Sequence, residues 1–240
     1  MAGTGLWAKI HKWLALLMAI QILFWFASGL FFAAFPIERV RSEHMIAEQP
    51  AAPVDLAVAA AGLGRLTAAP AEKVELRSLL GRPVALLTAR QARPRLYDLA
   101  SGRLISPITM AEAVLIAEAD HAGHARALRV KLITANDTEY RGALPAWRVD
   151  FAEEGRALYV AADTGAVTAR RSTLWRVYDF LWGLHIMDWR GHEDFNTPLL
   201  IVATALALLM SIAGIVLLPG RLGFTAWLRR RRRRAQERAS

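Results

Sequence analysis

Two apolar runs, one near each end, constrain this 240-residue chain more than any other feature. From Trp13 to Phe35 only Gln21 and Ser28 interrupt apolar or small residues, and from Pro198 to Pro219 only Thr204 and Ser211 do. Each run has the roughly 20 residues a helix needs to cross a hydrocarbon core about 30 Å thick. Between them, residues 36–197 carry 20 Lys and Arg against 20 Asp and Glu. The flanks hold ten basic residues (Lys9, Lys12, Arg221, Arg229 to Arg234, Arg238) and one acid, Glu237, which together make up the whole net charge of +9. Basic residues beside membrane-spanning ends stay in the cytoplasm. The expected organisation is therefore a cytoplasmic 1–12, a span at 13–35, an exported 36–197, a span at 198–219 and a cytoplasmic Arg-rich 220–240.

A cleaved signal is the competing reading of the N-terminus. Its apolar core would be roughly 7–15 residues, shorter than this run. The six consecutive Arg serve as a topology lock and as contacts to anionic headgroups, so no nucleic-acid partner is expected. Cysteine is absent, which excludes disulfides, thiolate nucleophiles and Cys-based metal centres. The exported section, about 160 residues, is long enough for one domain or two small ones held by apolar cores.

That section repeats itself. Pro83 opens VALLTARQARPRLYDLASGRLI and Pro145 opens AWRVDFAEEGRALYVAADTGAVT. Both read proline, apolar strand, polar turn, Leu-Tyr strand and a small-residue turn, with Gly102 and Gly165 at the position needing φ > 0. Trp147, Val149 and Phe151 alternate with Arg148 and Asp150, the period of a strand with one buried face. A helical segment precedes each: Pro53 to Leu63, and Thr109 to Ala119 with Thr109 and Glu112 spaced as a capping box. The fold class is α+β, a helix packed on a small antiparallel sheet of three or four strands, twice over, between two transmembrane helices.

Residues 143–170, with their P-x-W-R-V-D-F and L-Y-V-x-x-x-T-G-x-V pattern, resemble the PepSY domain. IHKWLALLMAIQILFWFASGLFF and DFLWGLHIMDWRGHEDFNTPLL resemble the membrane entry and re-entry of PepSY-associated membrane proteins. The repeats would then be tandem periplasmic PepSY-like units, 36–107 and 108–172, in a bacterial inner membrane. The resemblance implies three roles. Soluble members look like protease inhibitors or regulators, so a membrane-tethered inhibitor is one. Larger members are similar to ferric-siderophore reductases, in which helix histidines hold haem b; those carry four or more membrane helices, where this chain has two. The third is a regulatory module accessory to metal or siderophore handling, recognising a periplasmic protein or small ligand.

The candidate haem ligands are His11 and His185, with His192 and His44 as weaker ones. A span of about 23 residues puts some 30–35 Å between the membrane faces, so His11 and His185 of one chain cannot share an iron. On a helix, His185 and His192 would share a face about 10 Å apart, equally unsuited to one haem. A bis-histidine site needs a second chain, or His44 brought near. Asp120, His121 and His124 are a candidate metal triad; histidines closing a helix also meet its C-terminal carbonyls. No nucleophile triad, phosphate loop or carboxylate pair stands out, so no self-sufficient catalytic site is expected. Trp13, Trp175, Tyr178, Trp182 and Trp189 suit a membrane interface, with 174–189 a helix on its outer surface within an interfacial segment 173–197. Ala203, Ala207, Ser211 and Gly214 permit close helix approach, to the first span, a second copy or another membrane protein.

Overall fold

The computed structural model describes residues 2–48, 55–66, 71–123 and 125–223, with Trp227 and Arg231. Two compact units divide the chain: residues 1–34 with 180–240, and residues 35–179.

The first unit is a helix pair. Helix α1, Ala2–Ala34, starts well before the apolar run, because Lys9, His11 and Lys12 are good enough helix formers to extend it. Along it His11, Leu14, Met18, Gln21, Trp25, Ser28 and Phe32 recur every three or four residues on the covered side. Leu16, Leu17, Ile20, Leu23, Phe26 and Leu30, on the other side, are each 65–73% exposed. An apolar face of that size is untenable in water and suits lipid. The partner of α1 is α6, Pro198–Arg221, whose Thr197 side chain accepts from the Leu200 amide while Pro198 takes the first helical position. Both helices are long and apolar enough to span a bilayer.

On α6 the covered side follows Ala203, Leu206, Ala207, Met210, Ala213 and Gly214. Ser211 falls off it, exposed, its hydroxyl donating to the Ala207 carbonyl at 2.9 Å. The reason is angular: steps of four residues advance about 400°, so a strict four-residue stripe drifts about 40° per step. Ala213, 0% exposed, takes the place Ser211 was expected to fill. Most of the arginine run lies outside the described residues; Arg231 stacks over Trp227 at 5.4 Å.

The second unit holds two antiparallel sheets: β1 (Lys73–Leu79), β2 (Arg82–Ala89) and β3 (Ala92–Asp98), then β4 (Ala127–Ile133), β5 (Ala146–Phe151), β6 (Ala157–Ala161) and β7 (Val167–Arg171), each in sequence order. Helix α3, Leu56–Leu63, capped by Asp55, precedes the first sheet; Pro53 lies outside the described residues. Helix α4, Met110–Asp120, precedes the second and begins with the expected capping box of Thr109 and Glu112. The repeats do not share a sheet. They share a core: Val84, Leu86 and Leu96 of the first sheet, Ile116 and Ala117 of α4, and Val149, Phe151, Leu158 and Val160 of the second. Each large side chain buried there contributes about 1.5–3 kcal/mol. The far face of the first sheet is covered by α3 through Ala59 against Ala85, Leu87 and Leu99. That of the second is covered by Tyr140 stacked on Tyr159, centroids 4.5 Å apart. A short helix α2, Ile37–Val40, and a 3-10 turn, Glu43–Met45, lead into this unit, pinned where Ile46 bridges His121. Helix α5, Thr173–His185, follows β7 and runs out of the domain.

Candidate functional site

Near the C-terminal end of α1, His185 is held by a set of aromatic and polar groups. Its carbonyl accepts from the Trp25 indole N–H at 2.7 Å, and its Nδ1 lies 2.7 Å from Ser28 Oγ. Ser28, 1% exposed, also lies 2.6 Å from the Phe24 carbonyl, which can only accept. The single hydroxyl proton therefore goes to Phe24, and His185 donates Nδ1–H to Ser28. Trp182 lies parallel to the imidazole at 6.4 Å, and Phe32 meets it edge-on at 5.5 Å. Burial pushes the His185 imidazole toward its neutral form.

His11 repeats the arrangement at the other end of the helix pair. Its Nδ1 is 2.9 Å from the Met210 carbonyl, which fixes Nδ1 as donor. The ring lies on Gly214, where an added Cβ would come within 3.1 Å of Cε1. In both histidines Nδ1 is committed to its acceptor and Nε2 has no hydrogen-bond partner among the described residues. That is the state of an imidazole ready to bind a metal, oriented from behind by an acceptor. The two are far apart: Ser28 is 17 residues along α1 from His11, about 25 Å.

The other candidates fall elsewhere. The helix expected over 174–189 stops at His185: Met187 has φ 55 and Asp188 gathers the backbone amides of Arg190, Gly191, Glu193 and Asp194. His192, also at positive φ, is thus not two turns along a helix from His185; its ring packs on Gly183. Trp182 also meets Phe195 edge-on at 5.4 Å. His44 is exposed in the second unit. Asp120 is clamped by Arg170 through two bonds, 2.7 and 2.5 Å. His121, 2% exposed, turns to Glu153 at 3.2 Å rather than to the carbonyls of its helix end. His124 lies outside the described residues, and among those described no three potential ligands converge on a metal position. Trp175 carries Arg171 on its face at 4.0 Å, whereas Trp13 and Trp189 are each 63% exposed; Tyr178 sits in the same helix as Trp175 and Trp182.

The domain's charged groups converge on the outer face of the second sheet. Glu139 accepts from Arg148 at 2.9 Å and from Arg176 at 2.5 Å, and its carbonyl accepts from Arg171. Arg148 also reaches Asp150 at 2.7 Å and Tyr159 at 3.0 Å. Burial, then the Glu139 charge, pushes the Tyr159 phenol up to about 12. Beside this network a cavity of about 220 Å³ is lined by Arg129, Lys131, Arg148, Asp137 and Asp150. Sequence reasoning missed Ser28 and Trp25 as site residues. The signal was present: a serine within an otherwise apolar stretch marks an internal partner.

Across residues 7–240 the chain matches the family described as the PepSY-associated TM region. No curated protein and no solved structure matches it.

Proposed function

Because the chain belongs to the PepSY-associated transmembrane family, a membrane-associated PepSY module, we propose that it holds this module outside the cytoplasm and binds a periplasmic protein or small ligand. It acts by binding rather than by chemistry of its own, in the handling of metals or siderophores. The distribution of basic residues at the two flanks supports cytoplasmic termini in a bacterial inner membrane.

One observation carries the binding reading. Among the described residues strand β4 pairs only with β5, which leaves its outer edge open there, with Leu128 72% and Leu132 42% exposed beside Arg129 and Lys131. An open edge of this kind offers unpaired amides and carbonyls to an extended segment, and alternate side chains read it. A photo-crosslinker at Leu128, used in native membranes, tests this. A discrete adduct that disappears in Arg129→Glu supports the reading. Adducts only from positions on β1 or β3 refute it.

A second reading has its own support. His11 and His185 both present Nε2 with Nδ1 committed to an acceptor, and would in that state suit a haem b iron. These residues fit the group singly, and each iron would need a second histidine from another chain. Haem would supply one-electron transfer. The side chains would position it: Ser28 and Met210 orient the imidazoles, and Trp25, Trp182 and Phe32 wall off water. A visible spectrum of the purified protein decides it: a Soret band lost in His185→Ala promotes this reading, and no band after haem supplementation ends it.

A further inference from the structure

Within the α+β domain, α2, the 3-10 turn and the start of α5 enclose a cavity of about 320 Å³. We propose that it is a binding site for a phosphate group, carried by a free anion or by a lipid headgroup. Four kinds of donor line it. The first is the N-terminus of α5, a helix of 13 residues. Ser172 there uses its hydroxyl for the Trp175 amide at 3.1 Å and its carbonyl for Arg176 at 3.1 Å. The amides of Thr173 and Leu174 have no intrahelical acceptor and no partner among the described residues. A helix start with free amides favours an anion.

The second donor is Arg39, exposed and in no ion pair among the described residues. The third is Ser42, 1% exposed, whose hydroxyl has no hydrogen-bond partner among the described residues. A buried hydroxyl left unpaired costs about 1–3 kcal/mol, so a ligand that supplies an acceptor removes a real penalty. The fourth is His44, on the same turn. The one acid on the wall, Glu154, is already taken by Arg156 at 2.8 Å, whose Nε and Nη1 are buried without partners among the described residues. The cavity therefore presents net positive charge. Donors arriving from a helix start, a guanidinium, a hydroxyl and an imidazole surround a tetrahedral anion better than they fit a planar carboxylate.

Both sources of phosphate are within reach. Arg39 follows Ala34, the last residue of α1, by five positions, a tether of at most about 18 Å. The site does not depend on the β4 edge or on haem.

The test uses the full chain in dodecyl maltoside, which carries no phosphate. Sodium phosphate is titrated at constant ionic strength and binding is read from the melting temperature. Phosphatidylglycerol retention is read by native mass spectrometry. Phosphate is expected to raise the melting temperature saturably, with affinity at least tenfold weaker in Arg39→Gln and several-fold weaker in Ser42→Ala. Arg41→Gln, two positions along and paired with Glu43 instead, should bind like the parent. Retention of phosphatidylglycerol that phosphate displaces identifies the headgroup as source; phosphate binding without lipid retention identifies the free anion. Equal affinities in the parent and Arg39→Gln, an equal loss in Arg41→Gln, or neither probe binding overturns the proposal.

Discussion

Ser28 Oγ and His185 Nδ1 stand 2.7 Å apart across 157 positions of sequence, one on α1 and the other on the last residue of α5. Since the serine proton is committed to Phe24, this bond sets the tautomer of His185. Ser28→Ala removes the acceptor and leaves an imidazole N–H facing Trp25, Phe32 and Trp182. The unpaired donor should cost about 1–3 kcal/mol. A lower melting temperature with red-shifted tryptophan emission is the expected result; an unchanged melt would show the bond to be dispensable.

Gly214 and Gly29 offer a matched pair. A Cβ at Gly214 comes 3.1 Å from the His11 ring, whereas one at Gly29 meets nothing within 4 Å. Gly214→Ala should displace His11 from Met210 and cost about 1–3 kcal/mol through overpacking. Gly29→Ala should be neutral or stabilising by up to about 1 kcal/mol, as alanine favours a helix. Thermal melting of both variants in one detergent makes the comparison.

Within the α+β domain, Gly62 sets how closely α3 lies on the first sheet. Its Cβ would stand 2.4 Å from the Leu99 carbonyl oxygen, a backbone atom with no rotamer to yield. Gly62→Ala should lift α3 from Ala85 and Leu87 and destabilise the domain by about 3 kcal/mol or less. Gly64→Ala, where the nearest atoms are at 3.6 and 3.7 Å, should be tolerated. Urea unfolding reads the difference.

The membrane helices, the helix-then-sheet repeat and the cap of α4 were legible because each rests on local pattern: apolar length, alternation of Trp147 with Arg148, or Thr-x-x-Glu. Strand β1 was not. Its turn into β2 places Leu80 at φ 51 and Gly81 at φ 78, a hairpin conformation normally signalled by Asn-Gly. Nor was the shared core, since nothing local tells α4 that both sheets will pack on it. The end of α5 was misjudged because the stop signal is a carboxylate three residues beyond His185 collecting amides from still later residues. As for the site, the histidines were visible by type, but their tautomers come from Ser28 and Met210, each more than 150 residues away in sequence.

Asp188 supplies a prediction in pH. The amides of Gly191, Asp194, Glu193 and Arg190 bond its carboxylate and hold its pKa far below the usual carboxylate range. A carboxylate depressed on folding binds fewer protons in the native state than in the unfolded one, so stability rises with pH across that interval. The contribution is complete above the unfolded value of about 3.9 and is lost as pH falls through the folded one. The turn over 186–194 should therefore stay closed from neutrality to well below pH 4, and open only as acidification reaches the depressed folded value. Asp188→Asn turns one acceptor into an NH₂ group facing the amides of Glu193 and Asp194, which donate to Oδ2 at 3.0 and 3.1 Å. In that variant the turn should be open already at pH 7, with no acid transition left to observe. Amide chemical shifts of Gly191 and Asp194 followed against pH report both; a parent that titrates near pH 4 would contradict the assignment.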